Sequence, residues 1–360
     1  MKAAGLRVFK FLKYLIKRIR DSLFSFIELL LIICFKLLPR FSSKKSRNIL
    51  FLPRPGRGLK ISSTDDSLLR TFPHDKRLNL VIERFNRKFW ILGTLKLMLL
   101  CLLVKKPNII LLQYVKDFHK FPSMRLLFFC QSRGAEIVKI WMDSYSQSLW
   151  EKRILAISDL GTINVVADSP EFIPQYSKIS NQYYYYIPLP TQAFPFVPFA
   201  ERKIFLYYSG GVSNVGIYSD RGKILNLLEA HNIEVAGYSY DWGNPGTRPS
   251  YDTYRSELSG SLVALNFTGK GTEDVLVGRT WEILSSGVLL LQNKSQVFGS
   301  LFIPGVHYIE FDSEDHLLEI LLELRSKPKL IAKISMAGME RYHELYKNEV
   351  FWNKIIPTEL

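Results

Sequence analysis

The chain of 360 residues has only three cysteines, Cys34, Cys101 and Cys130, each alone in an apolar stretch. So few and scattered thiols exclude a disulfide framework and a cysteine-based zinc site, and they read as buried free thiols in a reducing compartment. Walker A, His-Glu-x-x-His, Gly-x-Ser-x-Gly and kinase signatures are all missing, which removes support for an ATPase, a zinc protease, a serine hydrolase or a kinase. No apolar run reaches the roughly 20 residues that comfortably span a bilayer. Acids are scarce, with 33 Asp and Glu against 48 Lys and Arg, a net charge of +15.

That charge is uneven. Residues 1–47 hold twelve Lys and Arg against Asp21 and Glu28, so +10 of the +15 belongs to a short N-terminal segment. There Val8, Phe9, Phe11, Leu12, Leu15, Ile16 and Ile19 alternate with basic residues at near-helical spacing. A basic amphipathic helix of this kind lies in the interface of an anionic membrane. Ser22 to Leu38 follows, seventeen residues broken only by Glu28 and Lys36. A monotopic in-plane anchor is the favoured reading; a single span and a buried or partner-binding helix are the others. A cleaved signal peptide fits poorly, because the apolar stretch starts late and no small-x-small site follows. Nucleic-acid binding is not expected, since the basic residues are threaded with Phe, Leu and Ile.

Beyond the segment the pattern is α/β. Asn48–Pro53 reads as a first strand, followed by a glycine-containing loop. Residues 78–104 read as one long helix or two, and Ile109–Gln113, Glu136–Asp143 and Ile163–Asp168 as buried strands. Ligand chemistry collects at the carboxyl ends of strands in such sheets, where Asp143, the candidate base, and Asp168 both sit; capping of the next helix or turn is the other reading of each. A Tyr-, Phe- and Pro-rich stretch from Tyr183 to Pro198 marks a linker, and four successive tyrosines would face alternately. Then Lys203–Gly211 is an apolar strand running into Gly210 and Gly211, with Arg221 opening a helix ten residues later. Strands at 233–238 and 262–267 flank a helix at 251–258, and a Gly-rich loop carries Glu273 and Asp274.

The most informative stretch is Gly278–Leu291. Arg279 and Glu282 stand three apart and share one face of a helix that Gly287 ends. Helix N-termini attract phosphate through free N–H groups and the macrodipole. A carboxylate beside them can accept hydrogen bonds from the vicinal hydroxyls of a ribose, so the pair suits a nucleotide diphosphate. The plainer reading is a surface Arg and Glu that merely begin a helix. A strand over 287–292, a second strand after a Pro-Gly turn within 302–311, and a helix capped by Ser313 follow, with another helix from Pro328.

The run R-x-W-E-x-x-x-x-G-x-x-L-L from Arg279, its Pro-Gly turn and its acidic-capped helix resemble the C-terminal half of GT-B glycosyltransferases, in particular the CgeB / glycosyltransferase-family-1-like group. The resemblance covers about residues 203–350, is thin over 48–190 and is absent over 1–47. It implies two Rossmann-like domains facing a cleft: 1–47 a membrane-associating helical segment, 48–190 the acceptor side, 191–345 the nucleotide-sugar side, and 346–360 a helix crossing back. It implies donor binding by Gly210, Gly211, Arg221, Asp274, Arg279, Glu282 and Gly287, with Glu282 on the ribose and Arg279 on the diphosphate. Many retaining members carry Glu-x7-Glu here. This chain has Asp274 in place of the first glutamate, which leaves retention and inversion open. There is no Asp-x-Asp pair, so neither metal nor cofactor is expected.

The expected function is thus a membrane-associated glycosyltransferase that moves a sugar from a nucleotide diphosphate sugar to a lipid-linked or surface-glycan precursor. The alternatives are a non-catalytic GT-B-like scaffold and a nucleotide-binding module at a membrane. A span over 22–38 would place the body outside by the positive-inside rule, away from nucleotide sugars. The expected location is therefore the cytoplasmic face of the inner membrane, against anionic lipids.

Overall fold

The computed structural model describes residues 47–52, 68–73, 75, 78–82, 108–113, 124–142, 154–155, 157–161, 163–168, 170–188, 193–212, 219–241, 249–267, 275–276, 278–346 and 348–356, with the isolated positions 22, 26, 29 and 99. Nearly all of the N-terminal segment, and Asp143, Asp274 and the Gly269–Glu273 loop, lie outside the described residues. Among the described residues no helix is long and apolar enough to cross a membrane.

The first sheet holds six strands: β1 (Arg47–Leu52), β2 (Leu78–Ile82), β3 (Ile109–Gln113), β4 (Glu136–Trp141), β5 (Ile163–Val166) and β6 (Tyr185–Tyr186). Their order is β2-β1-β3-β4-β5-β6, and the pairs β1–β2, β1–β3, β3–β4 and β5–β6 are parallel. Ile109–Leu112 are buried without a break, as expected of a parallel strand covered on both faces. Helix α1 (Met124–Ser132) precedes β4, and α2 (Ile173–Ser180) lies between β5 and β6. Leu78–Ile82 is a correction to the helix expected from residue 78: it is an edge strand in register with Arg47–Phe51. Five residues are too few to separate a period of 2 from one of 3.6. The tyrosine run alternates as a strand should, with Tyr183 and Tyr185 exposed and Tyr184 buried.

The second sheet holds β7 (Ile204–Val212), β8 (Val235–Asp241), β9 (Ser261–Asn266), β10 (Leu289–Asn293) and β11 (Ile309–Phe311), in the order β11-β10-β9-β7-β8. All four pairings are parallel. The order reverses between β7 and β9, so the switch point of this doubly wound sheet lies there. Helices α3 (Ser219–Ala230), α4 (Tyr251–Ser259), α5 (Gly278–Ser285), α6 (Gln296–Leu301), α7 (Glu314–Arg325), α8 (Pro328–Leu345) and α9 (Asn348–Ile355) complete it.

Strand alternation divides the core of this sheet in two. Leu206, Tyr208, Val263, Leu265, Leu289 and Leu291 pack on one face with Leu317 and Leu321 of α7. Tyr207, Ala264 and Leu290 pack on the other with Trp281 and Tyr342. Each fully buried Leu or Val contributes about 1.5–3 kcal/mol, so these layers fix where the strand ends fall. The Ser313 Oγ accepts from the His316 N–H at 3.2 Å and opens α7, and Pro328 stands at the start of α8. The strand expected over 302–311 is confined to Ile309–Phe311. Before it, His307 Nδ1 accepts from the Ile303 N–H at 2.9 Å and the chain turns at Gly305.

Candidate functional site

Four glycine and arginine positions, Gly210, Gly211, Arg221 and Arg279, meet at the carboxyl ends of β7 and β9. Gly210 and Gly211 lie inside β7, in register with Ser239 and Tyr240. Gly210 is nevertheless required by its surroundings. A Cβ there would stand 2.6 Å from the Tyr208 hydroxyl and 3.2 Å from Arg279 Nη1. The missing side chain is the space in which the Arg279 guanidinium approaches the strand.

Arg279 lies in the first turn of α5, which contains no acid. Its Nη1 donates to Asn266 Oδ1 at 3.4 Å, and its guanidinium stands 5.8 Å from the Tyr208 ring centroid. Tyr208 is stacked on Phe267 at 5.2 Å and 5°. Asn266 is buried at the end of β9, and its Nδ2 donates to Thr280 Oγ1 at 3.1 Å and to Gln292 Oε1 at 2.7 Å. Gln292 in turn donates to Asn293 Oδ1 at 2.8 Å. A buried, mutually bonded network of this kind sets side-chain directions firmly, and it aims Arg279 from below.

One turn on, Glu282 is part-buried and accepts a 2.6 Å hydrogen bond from the Tyr254 hydroxyl at Oε2. Burial pushes its carboxyl above the usual range, while the Tyr254 bond and the Arg279 and Arg255 charges pull it back. Burial also raises the Tyr254 phenol well above its ordinary value, assisted by the Glu282 charge. Arg279 and Glu282 thus occupy one end of the helix on the same side, a cation beside a hydrogen-bonded carboxylate.

Arg221 is placed differently from a phosphate ligand at the surface. It is buried, and its Nη1 and Nη2 donate to the carbonyls of Gly211 and Phe267, both at 3.0 Å. It braces the two strand ends on either side of the switch point. Gly287 lies at the opposite end of α5 from Arg279. Its φ of +63° turns the chain, and an added Cβ would meet Phe196 at 3.1 Å and Met339 at 3.2 Å.

Sequence reasoning passed over Tyr254, Asn266, Gln292 and Arg202. Asn266 and Gln292 carried a signal: each is a polar residue closing an apolar strand, and they pair in register. Tyr254 carried none beyond its place one turn after Tyr251. Arg202 is buried and donates to the carbonyls of Val197, Ser261, Gly287 and Ser286 at 2.8, 3.1, 2.8 and 3.2 Å. Its guanidinium also covers the Phe199 ring at 4.2 Å, and burial pushes it down to about 10. It closes the C-terminal end of α5, where a cation is favourable.

Two parallel, doubly wound sheets define the architecture of GT-B glycosyltransferases, and residues 221–356 match a family described as glycosyl transferase-like. Among solved structures, the chain is similar to the Anabaena protein HepE, crystallised with UDP-glucose, at 10% identity and a TM-score of 0.61, over 86% of this chain and 98% of that one. A sucrose-phosphate synthase from Thermosynechococcus elongatus is similar at 11% identity and a TM-score of 0.53, over 86% and 96%. A glycosyltransferase from Rickettsia africae ESF-5 is similar at 10% identity and a TM-score of 0.52, over 87% and 100%. No functionally curated protein matches the chain. At these identities the likenesses establish the fold, and function rests on the site.

Proposed function

We propose that the protein is a glycosyltransferase that takes a sugar from a nucleotide diphosphate sugar. The observation that carries the reading is the joint placement of Gly210, Arg279 and Glu282 at the β7/β9 switch point, where open α/β sheets bind nucleotides. Glu282 receives the ribose hydroxyls, and Arg279 with the α5 N-terminus receives the diphosphate. Arg221 acts on the donor through the backbone, by holding the ends of β7 and β9. The HepE structure with UDP-glucose supports a uridine nucleotide as the first donor to try.

In the reaction the acceptor hydroxyl oxygen bonds to the sugar anomeric carbon, the bond from that carbon to the phosphate oxygen breaks, and the acceptor proton passes to a base. We assign the base to Asp143. The charge left on the diphosphate is met by Arg279 and backbone amides, the electrostatic aid that often dominates catalysis, without a metal ion or cofactor. Membership in the CgeB-like group, a lipid-linked or surface-glycan acceptor, and a place at the cytoplasmic membrane face belong to the same proposal. The membrane placement is supported by the +10 of residues 1–47 and by Phe26 and Leu29, both helical and exposed; the subgroup rests on the run from Arg279. Residues 346–360 are proposed to cross back to the N-terminal domain.

The test is a thermal-shift panel of the protein with UDP, GDP, ADP, CMP and TDP, on wild type and Glu282→Ala, with and without EDTA. The expected result is a saturable rise with one nucleotide, insensitive to EDTA and lost in the variant. No rise with any nucleotide in a folded protein would favour a non-catalytic scaffold.

A further inference from the structure

The Tyr254–Glu282 bond is the shortest polar contact at the site, and nothing in the donor reading requires it. Tyr254 is held on several sides. Its ring meets Phe194 at 5.7 Å and 81°, Tyr207 at 6.2 Å and Tyr251 at 6.3 Å. Its helix is fixed at the N-terminus by Ser250, whose Oγ accepts from the Thr253 N–H at 3.1 Å. A ring so packed cannot follow a wandering partner, so the carboxylate must come to it. Phe194, in turn, is tied to α5 through its N–H, which donates to Ser285 Oγ at 3.3 Å. Tyr254 and Glu282 are therefore fixed on a common frame, and the hydroxyl holds Oε2.

We infer that Tyr254 is a positioning residue for Glu282: it occupies Oε2, leaves Oε1 for the donor ribose, and favours the charged carboxylate by donating to it. The inference rests on the donor-site reading above. Four groups face or adjoin the carboxylate: Tyr254 and Arg255 from α4, Arg279 from its own helix, and Tyr207 of β7 beside Tyr254. Burial raises both phenols above their ordinary value, so neither titrates in the acid and neutral range. The group that titrates there is Glu282, whose carboxyl burial already raises. Losing the donated hydrogen bond would raise it further, since a bond to the charged form favours that form.

The experiment measures affinity for UDP-glucose and GDP-mannose by calorimetry from pH 5 to 8.5, on wild type, Tyr254→Phe and Glu282→Gln. The diphosphates of these sugars do not titrate in that window. Wild type is expected to lose affinity toward acid pH. Tyr254→Phe keeps the ring packing, and it should move that acid limb to higher pH and weaken binding about tenfold at neutral pH. Glu282→Gln should bind weakly with no limb at all. An unmoved limb in Tyr254→Phe, even with uniformly weaker binding, would reduce Tyr254 to packing and overturn the inference. A limb that persists in Glu282→Gln belongs to another group and overturns it too, whether or not Tyr254→Phe folds. No binding of either sugar by wild type at any pH would remove the donor reading and this inference together.

Discussion

Glycine 210 shows how much of the site is decided by an absent atom. The Tyr208 hydroxyl and Arg279 Nη1 fill the position of its Cβ, and Tyr208 cannot yield because it is buried and stacked on Phe267. Gly210→Ala is expected to destabilise by about 1–3 kcal/mol, the usual range for an overpacked site, and to weaken nucleotide binding by displacing Arg279. Urea denaturation and a nucleotide titration on the same preparation check both effects. An alanine that leaves affinity unchanged would show that Arg279 does not need this approach. At this scale the sequence was partly legible. Arg279 and Glu282 could be paired from their spacing alone, because a helix puts residues three apart on one face. Tyr254 could not, because its partner lies 28 residues away and the contact depends on how α4 and α5 pack.

Helix α5 depends on an element that does not adjoin it in the chain. Arg202 stands just before β7 and reaches the carbonyls of Ser286 and Gly287, some 85 residues on. Replacing it with methionine would leave three buried acceptors and one part-buried one short of a donor and is expected to cost about 3 kcal/mol or more. Lysine should rescue little, since its single ammonium cannot reproduce the fork geometry of a guanidinium. Chemical unfolding of Arg202→Met and Arg202→Lys decides this; wild-type stability in either would mean that the carbonyls find other donors. Elements with their own local signals were readable. The Ser313 cap and the start of α8 at Pro328 follow from side chains within a few residues. Strand β2 was not, because five residues of mixed apolar character acquire a strand identity only by pairing with β1.

On the scale of the whole molecule, the two parallel sheets and the second sheet's succession of strands and helices were visible as a rhythm of apolar runs and breaks, whereas strand order was not. No pattern along the chain states that β9 returns beside β7 or that Asn266 and Gln292 come into register. A buried charge in the first sheet makes a further global property testable. Lys139 of β4 is fully buried, its ammonium donates to the Ile157 carbonyl at 3.2 Å, and burial pushes it down to about 7. Between about pH 7 and the ordinary lysine value of 10.5 the unfolded chain holds this proton and the folded chain does not. Stability should therefore rise with pH, by up to about 1.4 kcal/mol per unit from this group. Above about pH 10 the buried phenols of Tyr186, Tyr207 and Tyr308, all shifted upward, reverse the trend. Denaturation midpoints of wild type and Lys139→Met over pH 6.5–9.5 test this, and an equal slope in the two proteins would place the effect elsewhere.

The two ends of α5 are electrostatically unequal. At its C-terminus Arg202 meets the negative end of the macrodipole. At its N-terminus Arg279 brings a positive charge to an end that is already positive, in a turn without an acid. Glu282, one turn on, balances part of that charge, and the diphosphate of the proposed donor would meet the helix end and the arginine together. Under the donor reading the two neighbours at this end divide the ligand between them: the helix and the arginine face the anion, and the carboxylate faces the hydroxyls.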